Sequence, residues 1–325
     1  MKTNIKSLVT CVLVVCFVPA KSEASNIHFG SGANAFSMEF VAIGDPGNVA
    51  DATGTPSPAG SVGYTYYMGK HEVSRDMIAK ANASGGLGIT LDSMSSVSGG
   101  PRADMAATGV TWFEAAQFAN YLNTSKGFLA AYRFDTSGNF QLWQSGDAGY
   151  DAANPFRNSL ANFVLPTADE WYKAAYYDGV GGYFDYATAS NSIPTPVSSG
   201  TGAGTAVFAQ TLSQGPADIT LAGGFSALGT RGQNGNVFEW EESNFDLIND
   251  SVLSPRGVRG AGFSNVITSL LSSSSRLEVG PSFQNFDLGF RVASLSPVPE
   301  PGTAAGLASL LGIGGATGMR RRRRE

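Results

Sequence analysis

The stretch FVLPTADEWYKAAYYD, Phe163 to Asp178, passes from strand to helix within a few residues, and it constrains the fold more than any other part of the chain. Leu165 closes an apolar run, Pro166 ends extended structure and Thr167 opens a helix. Thr167-Ala168-Asp169-Glu170 reads as a capping box: the threonine oxygen accepts from a backbone N–H without a helical partner, and Glu170 reaches back to do the reciprocal. Trp171, Ala174 and Ala175 then recur three and four residues apart. One large ring and two small side chains therefore share a face that can press closely on a sheet. Aromatic residues at helical spacing are core architecture, so this stretch organises a fold and performs no chemistry by itself.

A second capping box, Thr111-Trp112-Phe113-Glu114, predicts a helix to about Leu122 with Trp112, Ala115, Ala116, Ala119 and Leu122 on one side. Ser74 is placed to cap a short helix over Arg75 to Ala83. Strand composition marks Phe36 to Ile43 and the aromatic-rich Tyr64 to Val73. Ala131 to Trp143 reads as a hairpin turning at Thr136-Ser137-Gly138-Asn139. Late strands are expected at Arg259 to Phe263 and Leu288 to Val292. Two Gly/Ser-rich stretches, Ser84 to Gly100 and Gly179 to Gly204, read as loops. Gly202-Ala203-Gly204 lacks the third glycine and the preceding strand of a phosphate-binding loop. No solenoid-length repeat is present.

Both ends read as processing segments. Lys2 and Lys6 precede the apolar run Leu8 to Val18, and Ser22-Glu23-Ala24 offers small residues where a signal peptidase reads, so residues 1–24 are expected to be a secretory signal cut after Ala24. Bulky Val15 before Cys16 argues against a lipoprotein. At the other end Val298-Pro299-Glu300-Pro301 precedes an apolar span, residues 303–319, and the arginines Arg320 to Arg324. Such a span lies at the short limit for crossing a bilayer, and basic residues after it are held on the cytoplasmic side. Residues 297–325 closely resemble the PEP-CTERM sorting signal of Gram-negative bacteria. That resemblance implies a transient inner-membrane anchor, recognition by an exosortase, and delivery to the cell surface or extracellular matrix.

Both cysteines, Cys11 and Cys16, lie in the signal segment, so the exported chain has neither disulfide nor thiol. Removing Lys2, Lys6, Lys21 and Arg320 to Arg324 from 21 basic residues leaves 13, and removing Glu23 and Glu325 from 26 acidic ones leaves 24, a net charge near −11. This acidic, lysine-poor surface argues against nucleic acid as a partner. Residues 25–296 suit one domain, with 41 glycines in the chain predicting many turns.

Four segments taken in order, YYMGKHEVS, GVTWFEAAQFANYL, FVLPTADEWYKAA and Gly235-Asn236-Val237-Phe238-Glu239-Trp240, followed by Arg259-Gly260-Ala261-Gly262 and Gly289-Phe290-Arg291, resemble the formylglycine-generating enzyme family, the sulfatase-modifying-factor domains. The resemblance covers roughly Phe36 to Ser294. It implies an irregular α+β fold of the C-type-lectin-like kind. In the oxygen-dependent enzymes of that family two cysteines bind copper shortly after the RGG segment; here those positions fall at Asn265 and Leu270. Neither is a thiolate ligand, so copper is not expected. A second branch needs several histidines for iron, and only His28, in an N-terminal arm, and His71, in a strand, are present. Neither has the spacing of a facial triad, and His71 reads as an ordinary polar residue. No GxSxG elbow is present.

By the same resemblance a calcium site would use the carbonyls of Gly235 and Val237 and the carboxylate of Glu239, with Gly232 standing where an upstream ligand is usual. The alternative is a tight turn at Gly235 and Asn236 with Glu239 hydrogen-bonded. Adjacent Glu241 and Glu242 read as solvated, which argues against a glycosidase pair. Trp143 and the tyrosines between Tyr176 and Tyr186 could offer stacking faces to a glycan, although core is their commoner fate. The expected function is a secreted or surface-sorted, non-catalytic binding or structural protein of the extracellular matrix, with polysaccharide or a surface protein as partner. A divergent enzyme of the same fold is the alternative.

Overall fold

The computed structural model describes residues 25–296. The signal segment, the Pro299-Glu300-Pro301 motif, the apolar span and the arginine tail lie outside the described residues. Among those described, no helix is long and apolar enough to cross a membrane.

Three helices carry the packing. Helix α1, Arg75–Gly85, starts at Ser74, whose hydroxyl accepts from Met77 N; helix α2, Trp112–Thr124, and helix α3, Ala168–Tyr176, each begin with a complete capping box. In α2 the five expected residues are buried, joined by Phe118 and Tyr121. Asn123 then stitches the helix to the strand Phe163–Val164. Its amide nitrogen donates to Phe163 O at 2.6 Å, and its oxygen accepts from the backbone N–H groups of Asn162 and Phe163 at 2.8 and 2.9 Å.

Two sheets frame the core. The first runs in the spatial order Ser25–Phe29, Phe36–Ile43, Tyr66–Gly69, Ala293–Ser294, Phe163–Val164, antiparallel throughout. The second runs Leu277–Val279, Arg256–Arg259, Phe238–Asn244, Leu288–Gly289, and only its last pair is parallel. Trp112 and Trp240 sit fully buried in the main cluster with Phe118, Phe163 and Phe290, while Trp171 packs in a second cluster with Tyr172 and Tyr176. Each of these indole N–H groups finds an acceptor: Trp112 on Glu241 O at 2.9 Å, Trp240 on Val110 O at 2.8 Å and Trp171 on the Glu239 carboxylate at 2.6 Å. This satisfies the one polar atom of each ring at little cost to burial.

Several sequence expectations need correction. Residues 25–29, expected as an arm, form an edge strand, and His28 there accepts or donates a bond with Ser37 Oγ at 2.8 Å. The strand expected over Tyr64 to Val73 shrinks to Tyr66–Gly69, which leaves His71 just beyond it. The strand expected at Arg259 to Phe263 lies instead at Arg256–Arg259, because Gly260 and Ala261 take φ of 97° and 66° and turn the chain away. The segment Leu288 to Val292 does not form one strand either: Leu288–Gly289 belongs to the second sheet and Ala293–Ser294 to the first, so the chain changes sheets between them. The Gly179 to Gly204 loop contributes a two-residue strand, Thr195–Pro196, paired in parallel with Thr205–Ala206. The hairpin at Arg133–Phe134 and Phe140–Gln141 is as expected.

Candidate functional site

Strand Phe238–Asn244 carries three glutamates, and none is solvated: Glu239, Glu241 and Glu242 are fully buried. Successive strand residues face opposite ways, so adjacent Glu241 and Glu242 enter two different interiors, and each meets its own arginines there. Glu241 accepts from Arg259 Nε at 2.5 Å and Arg276 Nε at 2.7 Å. Glu242 accepts from Arg157 Nε at 2.8 Å and Tyr132 Oη at 2.6 Å. Arg157 also forms two bonds to Glu170, at 3.0 and 2.9 Å, and Glu170 simultaneously closes the α3 capping box on Thr167 N at 2.7 Å. The Arg157 charge beside it holds the Glu170 carboxyl below the usual carboxylate range despite burial. These groups form a scaffold and leave no free carboxylate for glycoside chemistry.

Glu239 is likewise committed. It accepts from Arg291 Nε at 2.6 Å, Arg291 Nη2 at 2.5 Å and Trp171 Nε1 at 2.6 Å. Gly235 N donates to Gly260 O at 2.5 Å with Gly235 at φ 86°, and Val237 is buried against Ala106 and Ile219. At Gly232, φ is 83°, and a Cβ there would stand 2.5 to 2.7 Å from the Glu72 carboxyl atoms. These residues do not fit Ca²⁺, because the guanidinium of Arg291 already supplies the positive charge facing Glu239. The tight-turn alternative describes the arrangement: Asn236, at φ 62°, accepts from Ala217 N at 2.7 Å and donates to Glu72 Oε1 at 2.9 Å.

The two positions that correspond to copper-binding cysteines are occupied by structural residues. Asn265 Oδ1 accepts from Gly262 N at 2.6 Å, its N–H donates to Gly262 O at 3.1 Å, and its carbonyl accepts from Ala209 N at 2.8 Å. Leu270 packs half-buried against Ala206, Phe208, Ala261 and Leu271. The aromatic candidates are mostly spent as well. Tyr176 and Tyr177 are buried, and Trp143 donates to Ala131 O at 2.9 Å.

What the sequence did not single out is a cleft of about 320 Å³ between the strand Phe36–Ile43, the first turns of α1 and the turn Ile219–Leu221. His71 and Glu72 line it, although His71 reads in sequence as an ordinary polar residue. Glu72 is 1% exposed; its Oε1 is bonded to Asn236, but its Oε2 has no partner among the described residues. His71 Nδ1 is buried without a partner too. Burial pushes the Glu72 carboxyl up to about 8, reinforced by the charge of Glu239 and opposed by Arg291. Burial also pulls His71 down to about 4, with Lys70, Arg291 and Arg231 acting in the same direction and Glu39 against. Near neutral pH both side chains are therefore uncharged. At the rim, Glu39 pairs with Lys70 at 2.7 Å and Asp76 with Lys80 at 2.6 Å.

Comparison with known proteins agrees with the geometry. Treponema denticola variable protein 1 superposes with a TM-score of 0.59 at 17% identity, covering 83% of this chain and 99% of that one. The structure of CarF superposes with a TM-score of 0.53 at 18% identity, covering 80% and 99%. At such identities the likeness is one of fold, and it shows the irregular α+β architecture of formylglycine-generating-enzyme-like proteins. No curated protein matches the chain significantly. The profile of the sulfatase-modifying factor enzyme 1-like domain matches residues 39–295, from within the second strand to the end of the first sheet, and the chain belongs to that family.

Proposed function

We propose that this chain is an exported, surface-sorted and non-catalytic member of its family, serving as a binding or structural module in an extracellular polysaccharide matrix. One observation supports this most. Asn265, at one position of the copper-binding cysteines, holds a turn, and Leu270, at the other, packs half-buried against a small apolar cluster. Cys11 and Cys16, the only cysteines in the sequence, lie in the expected signal segment. A copper-thiolate oxidation has no ligands here. In this reading signal peptidase and an exosortase act during export, and residues 298–301 carry the sorting signal.

Two measurements test the proposal on the purified protein. With copper and a cysteine-containing peptide, oxygen uptake should stay at background, and any turnover above it overturns the non-catalytic reading. Binding to the producing bacterium's own extracellular polysaccharide should be saturable and indifferent to a calcium chelator, since Glu239 is already taken by Arg291. Absence of binding overturns the matrix role.

A further inference from the structure

We propose that, while the tail is retained, the domain rests on the bilayer surface through an apolar face made by Phe128, Leu129 and Leu160. This assignment rests on the export reading, in which residues 303–319 anchor the chain until the tail is cut. The face adjoins the point where the described chain ends. Ser294 pairs with Phe163 in the first sheet, Leu295 N donates to Asn162 O at 2.8 Å, and Ser296 N donates to Asn162 Oδ1 at 3.0 Å. Asn162 thus fixes the last described residues to the segment that carries Leu160. Phe128 meets Phe163 edge to face at 6.2 Å between ring centroids. Asn158 N donates to Ala131 O at 2.8 Å, so Leu129 and Leu160 each lie two residues from that bond. None of the three is covered: Phe128 is 43% exposed, Leu129 50% and Leu160 59%. Grouped apolar exposure of this kind marks an interaction surface.

The length of the tether decides the occupant. Six residues separate Ser296 from Thr303, where the apolar span begins. Even fully extended, that stretch reaches no more than about 25 Å. The headgroup layer takes about 5 to 8 Å of it, which leaves Ser296 less than about 20 Å above the lipid. A domain of this length is about 45 to 50 Å across, so the end that holds Ser296 is the end the bilayer must face. Charge agrees with this placement. Residues 124–130, 159–162 and 294–296 contain no acidic side chain, although the chain has 26, and exposed Lys126 offers a cation to lipid phosphate. Asp151, which shares a cavity with Leu295, sets one carboxylate against that ammonium and leaves the face close to neutral. By contrast, exposed Leu247 and Ile248 lie between exposed Asp246 and Asp250, which would carry two carboxylates into the headgroups.

Three partly inserted side chains form a weak anchor by themselves, as a single signal generally does. The covalent tether supplies the second signal by holding the face at high local concentration beside the lipid. Docking therefore lasts only as long as the tail: one cut removes the span and, with it, the reason for the face to stay, and the domain is freed for the matrix.

The test uses the chain from Ser25 to Glu325, reconstituted through its own span into vesicles of phosphatidylethanolamine and phosphatidylglycerol. That chain has no cysteine, so Ser125→Cys, Ser159→Cys and, as a control outside these segments, Val266→Cys can each carry one nitrobenzoxadiazole fluorophore at an exposed position. Lipids spin-labelled near the headgroup should quench the label at 125 and at 159 at least about twofold more than at 266. Leu129→Glu together with Leu160→Glu, at two half-exposed positions that the fold tolerates, should bring both sites down to the level of 266 while the chain stays in the vesicles. Equal quenching at all three sites of an anchored chain, or quenching that the glutamates leave unchanged, overturns the face and leaves the export reading standing. A chain that does not float with the vesicles has no anchor and overturns both.

Discussion

Replacing Glu72 by glutamine should make the stability of this protein insensitive to a proton that the wild type depends on. In the fold the carboxyl is pushed from 4.5 up to about 8, chiefly by burial and then by the Glu239 charge. In the unfolded chain it ionises near 4.5, so between those values the native state holds a proton that the unfolded state has lost. The sign follows: stability from this group is complete below about pH 4.5 and is lost as pH rises through about 8. At 1.36 kcal/mol per pH unit, the interval is worth on the order of 4 to 5 kcal/mol, an upper bound that relaxation of the site would reduce. Glutamine is shaped like the protonated acid, so near pH 5 variant and wild type should be almost equally stable. The gap should then widen in the variant's favour by several kcal/mol up to pH 9. Urea titrations at half-unit steps from pH 5 to 9 read it as a growing difference in midpoint at constant m-value. Parallel stability curves would show that Glu72 is ionised throughout and that burial does not govern it.

His71 should show the opposite slope. Its value falls from 6.5 to about 4, so its contribution is present above about pH 6.5 and lost on acidification; His71→Gln should flatten the acid limb of the same titration by up to about 3 kcal/mol. Arg157→Met strips the guanidinium from Glu170 and Glu242 and leaves both carboxylates buried, which should cost about 3 to 5 kcal/mol by denaturant melt; a loss under 1 kcal/mol would mean water replaces the arginine. Thr167→Ala removes the α3 cap and should cost about 1 to 2 kcal/mol in the same assay. Gly235→Ala places a Cβ 2.3 Å from Val207 O at a φ of 86°, so it should lower thermal stability by at least about 2 kcal/mol equivalent, and an unchanged melting temperature would refute the close approach.

Elements that declare themselves locally were legible in the sequence. Both capping boxes, the Ser74 cap, the strand Phe36–Ile43 and the hairpin around Asp135 each rest on residues within a few positions of one another, and each forms. Two-residue strands such as Leu288–Gly289 and Ala293–Ser294 are too short to show an alternation, so their sheet membership was hidden. The misreading of Glu241 and Glu242 has a different source. Adjacent acids look solvated in isolation, and their burial is decided by Arg157, Arg259 and Arg276, up to 85 residues away in sequence. A usable signal did exist: between residues 25 and 296 nine arginines stand against four lysines, and arginine is the cation suited to bidentate burial. The cleft carried no such signal. Glu72, Met38 and Ile219 come from three separated segments, and nothing in any one of them announces the others.

The position of Ala293–Ser294 has a consequence for biogenesis. These residues are the last strand of the described chain, yet they lie inside the first sheet, hydrogen-bonded to Tyr66–Gly69 on one side and Phe163–Val164 on the other. Until they arrive, the three N-terminal strands and the Phe163–Val164 strand touch through Phe29, Phe40 and Phe163 but share no ladder of hydrogen bonds, and two sheet edges stay open. Closure is therefore a late event with a long loop to cross. Truncation at residue 292 should consequently abolish the fold as a whole and not merely trim its end.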